Sequence, residues 1–331
     1  MSAAPAHPGE PPGGIAWLAT KTCETGPGAS VQGDEASDHD EDHQQNDPHV
    51  SHRNPAGHEP QFSCTERVTV RDTASVASDA NAFAILCEVE PATTPDLRRV
   101  RRQIVAFDGI TDLFLIPDNH IGRATVSSIA VAREVADLGG RAVACVNSRD
   151  RNLLGFRRDL LTAAAYGVRD FLFVRGDDPA EGGRSDLTVR QMLTEARAYP
   201  DAAFSLGVTV RCGSSVPAWK HAADFWLVQA SFEPEPLIEW RRALDYDGQV
   251  FAGVLVMASA KMAARIAADL PEINVPDDLV AALEHDPDAG VHRALDLVAA
   301  LQRSGAVDGV HLVPVGRYHQ VASWMRSRGL K

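Results

Sequence analysis

Cysteine is scarce in this chain. There are five in 331 residues, Cys23, Cys64, Cys87, Cys145 and Cys212, odd in number and without a CxxC pair. That usage argues against a disulfide framework and against a zinc site, and no metal is expected. Long apolar runs are missing too. No stretch approaches the roughly 20 residues that span a bilayer, and the opening MSAAPAHPGE has neither the basic patch nor the apolar core of a signal peptide. No membrane partner and a cytoplasmic location are therefore expected. Basic charge is outnumbered, with a net charge of -13, which argues against nucleic acid as a partner. Residues 1–80 carry 13 acidic and 4 basic side chains, so only about -4 of the total belongs to the remainder. A glycine-rich phosphate loop is also absent after the first strand pattern, where Glu88-Val-Glu-Pro-Ala92 stands instead. That disfavours a doubly wound open sheet.

Residues 1–80 are rich in Pro, Gly, Ser, Asp and His and have almost no apolar periodicity. Such a segment cannot bury enough surface to offset its ordering entropy, and it reads as a disordered, acidic, His-rich tail. His39, His43, His49, His52 and His58 match no defined metal spacing, so a solvated tail is the preferred reading. From residue 81 to 331, strand and helix patterns alternate strictly. Candidate strands cover 83–90, 112–117, 141–147, 170–174, 203–210, 224–229, 250–257 and 308–313. Helices are predicted to begin near Thr94, Ala124, Asn152, Thr188, Ser214, Glu235 and Ser259, then as a pair near Asp277 and Asp288, with a last one after Tyr318. Eight such units over about 250 residues predict an α/β fold, a (βα)8 TIM barrel preceded by the tail.

The stretch NSRDRNLLGFRRDLLTAAAYGVRDFLFVRGDDP, residues 147–179, shows the repeating unit most clearly. Leu153, Phe156, Leu160, Leu161 and Ala164 fall at helical spacing as a sheet-facing stripe, and Gly167 is expected to stop the helix. The apolar run Phe171–Val174 then ends abruptly in Arg175, Gly176 and Asp177. A buried parallel strand that delivers charge and a glycine to its carboxyl end points to the edge where barrels bind ligands.

In the first strand, alternation puts Phe83, Ile85, Cys87 and Val89 on the helix-facing side and Ala84, Leu86, Glu88 and Glu90 inside the barrel. Two interior carboxylates at i and i+2 should repel and lose hydration, raising at least one pKa and suiting it to general-acid work. Asp177 ends the fourth strand pattern and Gln229 the sixth. A glutamine there can donate and accept at once, as an amide-like heterocycle edge requires. Asp118 and Asn119 after strand two, and Arg317 and Tyr318 after strand eight, add polar groups to the same rim. His311 reads as a satisfied interior histidine rather than a ligand.

These residues together resemble the methylenetetrahydrofolate reductase family over residues 83–325. Ser148-Arg-Asp-Arg-Asn-Leu153, with Gly-Val-Arg169 and Arg175-Gly-Asp177, is similar to that family's CRDRN, GIR and RGD sequence. Glu88-Val-Glu-Pro91 stands where the family has EFFPP, Asp224–Gln229 matches ADFIITQ, Gly253–Val256 matches GILP, and Gly309–Pro314 with Arg317 resembles the closing strand and its arginine. The resemblance implies Glu88 as the general acid that opens the five-membered ring, and Asp177 as stabiliser of cationic character. It further implies Gln229, Glu90 and Arg317 on the folate substrate, and Asp118, Cys145, Asn147, Arg175, Gly176 and Asp177 on the cofactor side.

The flavin side departs from the pattern. Cys145 stands at the family's flavin-contacting histidine, Thr209-Val-Arg-Cys212 replaces its AYPE segment, and the lysine-bearing helix before strand six is shortened around Pro217–His221. The activity implied is reduction of methylenetetrahydrofolate to methyltetrahydrofolate in one-carbon metabolism, by hydride from NAD(P)H through FAD, or directly from a nicotinamide or deazaflavin. The alternative is a non-catalytic folate-binding or regulatory protein with a degenerate flavin site. A homo-oligomer is expected.

Overall fold

The computed structural model describes residues 83–119, 122–177, 185, 187–270 and 273–331. The predicted tail, with His39, His43, His49, His52 and His58 and with Cys23 and Cys64, lies outside the described residues. The strands are β1 Ala84–Glu88, β2 Leu113–Ile116, β3 Arg141–Asn147, β4 Asp170–Val174, β5 Ser205–Val210, β6 Phe225–Val228, β7 Gln249–Leu255 and β8 Gly309–Val313. They pair in parallel in sequence order, and β8 returns to β1 to close the barrel. The helices between them are α1 Arg98–Ala106, α2 Ser128–Asp137, α3 Leu153–Tyr166, α4 Val189–Arg197, α5 Pro234–Arg242, α6 Ala260–Asp269, α7 Asp277–His285 and α8 Ala289–Ser304, and α9 Tyr318–Arg328 follows β8. A short 3-10 helix, Ala218–Ala222, stands where the shortened helix before strand six is expected. The (βα)8 barrel predicted from the alternation is thus the fold observed.

Local signals explain several boundaries. Asn152 caps α3 by accepting from the Gly155 amide, and Gly167 ends it at φ 73° in the left-handed region where glycine carries no Cβ penalty. Thr188 and Gln191 close a capping box on α4. Helices α1 and α2 begin about one turn later than predicted, at Arg98 and Ser128. The apolar stripe of α3 is narrower than predicted: Phe156, Leu160 and Ala163 are buried, whereas Leu161 is 60% and Leu153 38% exposed. Leu161 lies about 100° around the helix from Leu160, which takes it off the face that meets the sheet.

Alternation sorts the core into layers. Ile85, Cys87 and Val89 of the first strand segment, with Phe171, Phe173, Trp226 and Val250, pack outward against the helices. Leu86, Leu113, Leu115, Val143, Cys145, Leu172, Phe225, Leu227 and Phe251 fill the interior. The two interior phenylalanines meet edge to face, with ring centroids 6.0 Å apart, and each lies over a glycine of a neighbouring strand. Gly207 pairs with Phe225 and Gly309 with Phe251. A Cβ on Gly207 would sit 2.1 Å from the Phe225 ring. A third apolar cluster, including Phe232, Met257, Met262, Ile266, Leu279 and Val315, packs α6 and α7 near the ends of β7 and β8.

The large-against-small arrangement gives a test. Gly207→Ala should lower stability by about 1–3 kcal/mol through overpacking, and combining it with Phe225→Leu should recover part of that loss in thermal unfolding. An unchanged midpoint in the single variant would mean that the Phe225 ring does not occupy this place.

Candidate active site

Glu88 is the last residue of β1, and it faces inward as alternation requires. It is 3% exposed. On the neighbouring strand β8, His311 pairs in register with Leu86, one interior position below Glu88. Its Nε2 lies 3.3 Å from Glu88 Oε2, and the imidazole is fully enclosed. Burial holds the His311 pKa down at about 3, so the ring is neutral at ordinary pH. His311 is thus an interior histidine, as read from the sequence. Its place against the candidate acid was not visible there.

Glu90 lies beyond the end of the strand, so alternation does not carry it into the interior beside Glu88. Its carboxylate meets Arg99 of α1 and accepts from the Gly316 amide. Its own N–H is shared between Gln103 Oε1 at 2.8 Å and the Tyr318 hydroxyl oxygen at 3.0 Å. The Glu90 pKa is raised, and the first cause is burial, opposed by Arg99 and by the Gly316 amide. Of the two causes expected from the sequence, lost hydration is found and repulsion from Glu88 is not. The thiols of Cys87 and Cys145 are also pushed up, first by burial and then by the charge of Glu88.

The ends of β2 and β3 form a closed polar knot. Asp118 Oδ2 accepts from the Asn147 amide at 2.9 Å, from Asn147 Nδ2 at 2.8 Å and from Arg151 at 2.7 Å. Arg151 also pairs with Asp159 at 2.9 Å. Asn147 Nδ2 and Asn119 Nδ2 both donate to Asp150. Gly176, after β4, has φ +88° and stands so close to Asn147 that a Cβ would meet the Asn147 side chain at 2.9 Å. Arg175 beside it is exposed and Asp177 half-buried. Cys145 is part of the apolar interior rather than of this knot. Arg151, Asp150 and Asp159 were not singled out as site residues from sequence, although all three stand in or near the SRDRN motif.

Gln229 follows β6, and its amide continues the ladder to Val210. Arg317 is already engaged. It donates to the Ala258 carbonyl at 2.8 Å and to Gln320 at 2.9 Å, and lies 3.4 Å from Asp288. Glu88, Asp177 and Gln229 therefore sit at or just past the carboxyl ends of three non-adjacent strands, β1, β4 and β6. Only a ligand lying across the mouth would touch all three. Among the described residues, no group of three His, Cys, Asp or Glu side chains could hold a metal ion, and no helix is long and apolar enough to cross a membrane.

The closed parallel sheet with a buried acid at its carboxyl end is an α/β barrel, the fold that builds its sites at that end. Its kinship is more specific: residues 219–327, about a third of the chain, match the methylenetetrahydrofolate reductase family. The resemblance read from the motifs is borne out over that stretch, which contains Gln229, His311 and Arg317. Among solved structures, the fold is similar to that of an uncharacterized protein from Clostridium thermocellum that binds two copies of 5-methyl-5,6,7,8-tetrahydrofolic acid. The two are 12% identical over 76% of this chain and 96% of that one, with a TM-score of 0.53. An F420-dependent secondary alcohol dehydrogenase in complex with an F420-acetone adduct is 9% identical over 76% of this chain and 99% of that one, with a TM-score of 0.49. Among curated proteins none matches the chain.

Two measurements test this geometry. Arg151→Met should cost roughly 3 kcal/mol or more, because it strands the nearly enclosed Asp118 carboxylate. Retention of wild-type stability in denaturant would dissolve the knot as a structural unit. His311 supplies a pH signature. Its folded pKa, about 3, lies below the ordinary 6.5, so the unfolded chain takes up the proton first as pH falls. The stability this provides is complete above pH 6.5 and is lost on the way down to about pH 3. Relative to His311→Gln, wild type should lose up to about 1.4 kcal/mol per pH unit within that window. Parallel stability curves for the two proteins would contradict the neutral, buried imidazole.

Proposed function

We propose that this chain is a methylenetetrahydrofolate reductase-like oxidoreductase of the cytoplasm that forms methyltetrahydrofolate by direct hydride transfer from a reduced nicotinamide. The observation that carries the reading is Glu88, a carboxyl group enclosed at the barrel mouth beside a neutral imidazole, where a protonated acid is favoured over an anion. The family match over residues 219–327 supports the substrate class. So does the folate bound by a protein of the same fold.

Glu88 donates its proton to the amine nitrogen of the substrate's five-membered ring. The bond from that nitrogen to the methylene carbon breaks, its electron pair stays on the nitrogen, and an iminium forms at the other ring nitrogen. Hydride then adds to the methylene carbon, completing the methyl group as the nicotinamide is oxidised, and water reprotonates Glu88. Asp177 stabilises the passing cation. Gln229 donates to and accepts from the pterin edge. Arg317, shared with Ala258 and Asp288, meets the substrate's carboxylates, and Glu90 holds the β1 end against it.

A flavin fits the described residues poorly. Asp118, Asn147 and Arg151 satisfy one another, Gly176 is closed onto Asn147, and Cys145 belongs to the apolar core. No step is therefore routed through a flavin.

The experiment is single-turnover hydride transfer to methylenetetrahydrofolate from NADH or NADPH without added flavin. Wild type should turn over, and Glu88→Gln should be slower by about 100- to 10,000-fold with folate still bound. Folate binding without any turnover in wild type would leave a binding protein instead. Undiminished turnover by Glu88→Gln would remove this residue from the chemistry.

A further inference from the structure

The reading of Glu88 as the acid leaves open what keeps its proton in place and its carboxyl aimed. Beside it stands one side chain that the proposed chemistry does not use. His311 occupies the interior face of β8, one position below Glu88 across the β1–β8 seam, with Nε2 3.3 Å from Oε2 and both side chains enclosed. We infer that His311 is the positioning residue of Glu88: the neutral ring donates its Nε2–H to Oε2, which holds the carboxyl in one orientation and leaves the acid proton on Oε1, toward the barrel mouth.

The alternatives cost more. With the proton on the ring, the pair becomes an ion pair inside the barrel's apolar inner shell, to which Leu86, Leu115, Leu172 and Phe251 belong, where both charges lose hydration. Burial opposes that state, as the lowered His311 pKa shows. With the proton lost altogether, a bare carboxylate would stand in the same shell. The titratable groups that sense Glu88 do not relieve it. Cys87 on β1, Cys145 on β3 and Tyr318 on α9 are all held in their neutral forms, in each case first by burial. Arg99 is taken by Glu90. A neutral carboxyl accepting from a neutral imidazole is the state that leaves no net charge in the shell and keeps the acid proton available to a ligand at the mouth.

The inference rests on the proposed role of Glu88, yet its test needs no turnover. Infrared spectroscopy of the full chain near neutral pH should show a protonated carboxyl band that disappears in Glu88→Gln. In His311→Leu that band should move to higher frequency, as a carboxyl C=O without a donor does. In His311→Gln, whose amide N–H can donate, it should stay near its wild-type place. The hydride step should fall by about 10- to 100-fold in His311→Leu through lost aim, with folate affinity unchanged and much of the rate restored in His311→Gln. Nitrogen-15 NMR of the wild-type protein provides a reading that no variant's folding can compromise. The His311 ring should be neutral with its proton on Nε2 between about pH 5 and 8. An imidazolium, a proton on Nδ1, or a carboxyl band indifferent to His311 would overturn the inference. A responsive band in a protein without reductase activity would keep the pair and reject the reductase reading. A slowed Glu88→Gln with an indifferent band would do the reverse.

Discussion

A carboxyl group enclosed by apolar side chains is tolerated only when it is neutral or well partnered, and Glu88 imposes that constraint on the whole seam between β1 and β8. Closure of the barrel is what brings His311 to it, because β8 is the last strand to join and lies against the first. The strand end above it is fixed from two sides. Gln103 of α1 and Tyr318 of α9 both take the Glu90 amide. Gly316 also turns its amide toward the Glu90 carboxylate, and the turn that achieves this holds Val315 at φ 48°, a conformation a β-branched residue rarely adopts. The apolar cluster of α6 and α7, in which Val315 is buried, stabilises that turn. The acid is thus held by contacts drawn from both ends of the barrel sequence.

The two sides of the mouth differ in physical character. At the ends of β2 and β3, Asp118, Asn147, Asp150 and Arg151 consume one another's hydrogen-bonding capacity, and a knot so complete resists opening to admit a ligand. At the ends of β7 and β8, α6 and α7 close over a wall of Met257, Met262 and Val315. Between these lie the ends of β1, β4 and β6. A flat heterocycle lying across them would meet polar groups at separated points and apolar surface at the side, the usual composition of a small-molecule site.

Much of this was legible in the chain because parallel barrel strands, buried on both faces, announce themselves as short apolar runs. Gly167 marked the end of α3 directly, and its start was read near Asn152, which the structure shows as its cap. The inward turn of Glu88 followed from alternation. Glu90 did not, because β1 ends at Glu88, and the period of two has no force beyond the last paired residue. The stripe of α3 was overdrawn because Leu161 satisfies the spacing loosely while lying off the contact face. His311 was visibly interior, but its neighbour depended on the register between the first and last strands, which no local pattern encodes. The ties of Arg151 to Asp118 and Asp159 were hidden for the same reason: the motif shows the arginine and not what it reaches.

The family match and the buried acid are separate lines of support. Residues 219–327 contain Gln229 and Arg317, the groups that would grip a substrate, whereas Glu88 and Asp177 lie outside that stretch. A chain could keep the gripping half and lose the chemistry, as a folate-binding protein would. The unmatched part, however, retains a costly feature that binding alone does not require. An inward carboxyl at this depth lowers stability unless it is neutral or paired, and the barrel maintains it with a second buried polar residue on the adjoining strand. A binding pocket gains little from that expense, whereas proton transfer needs a fixed, poorly solvated acid whose proton is present at working pH.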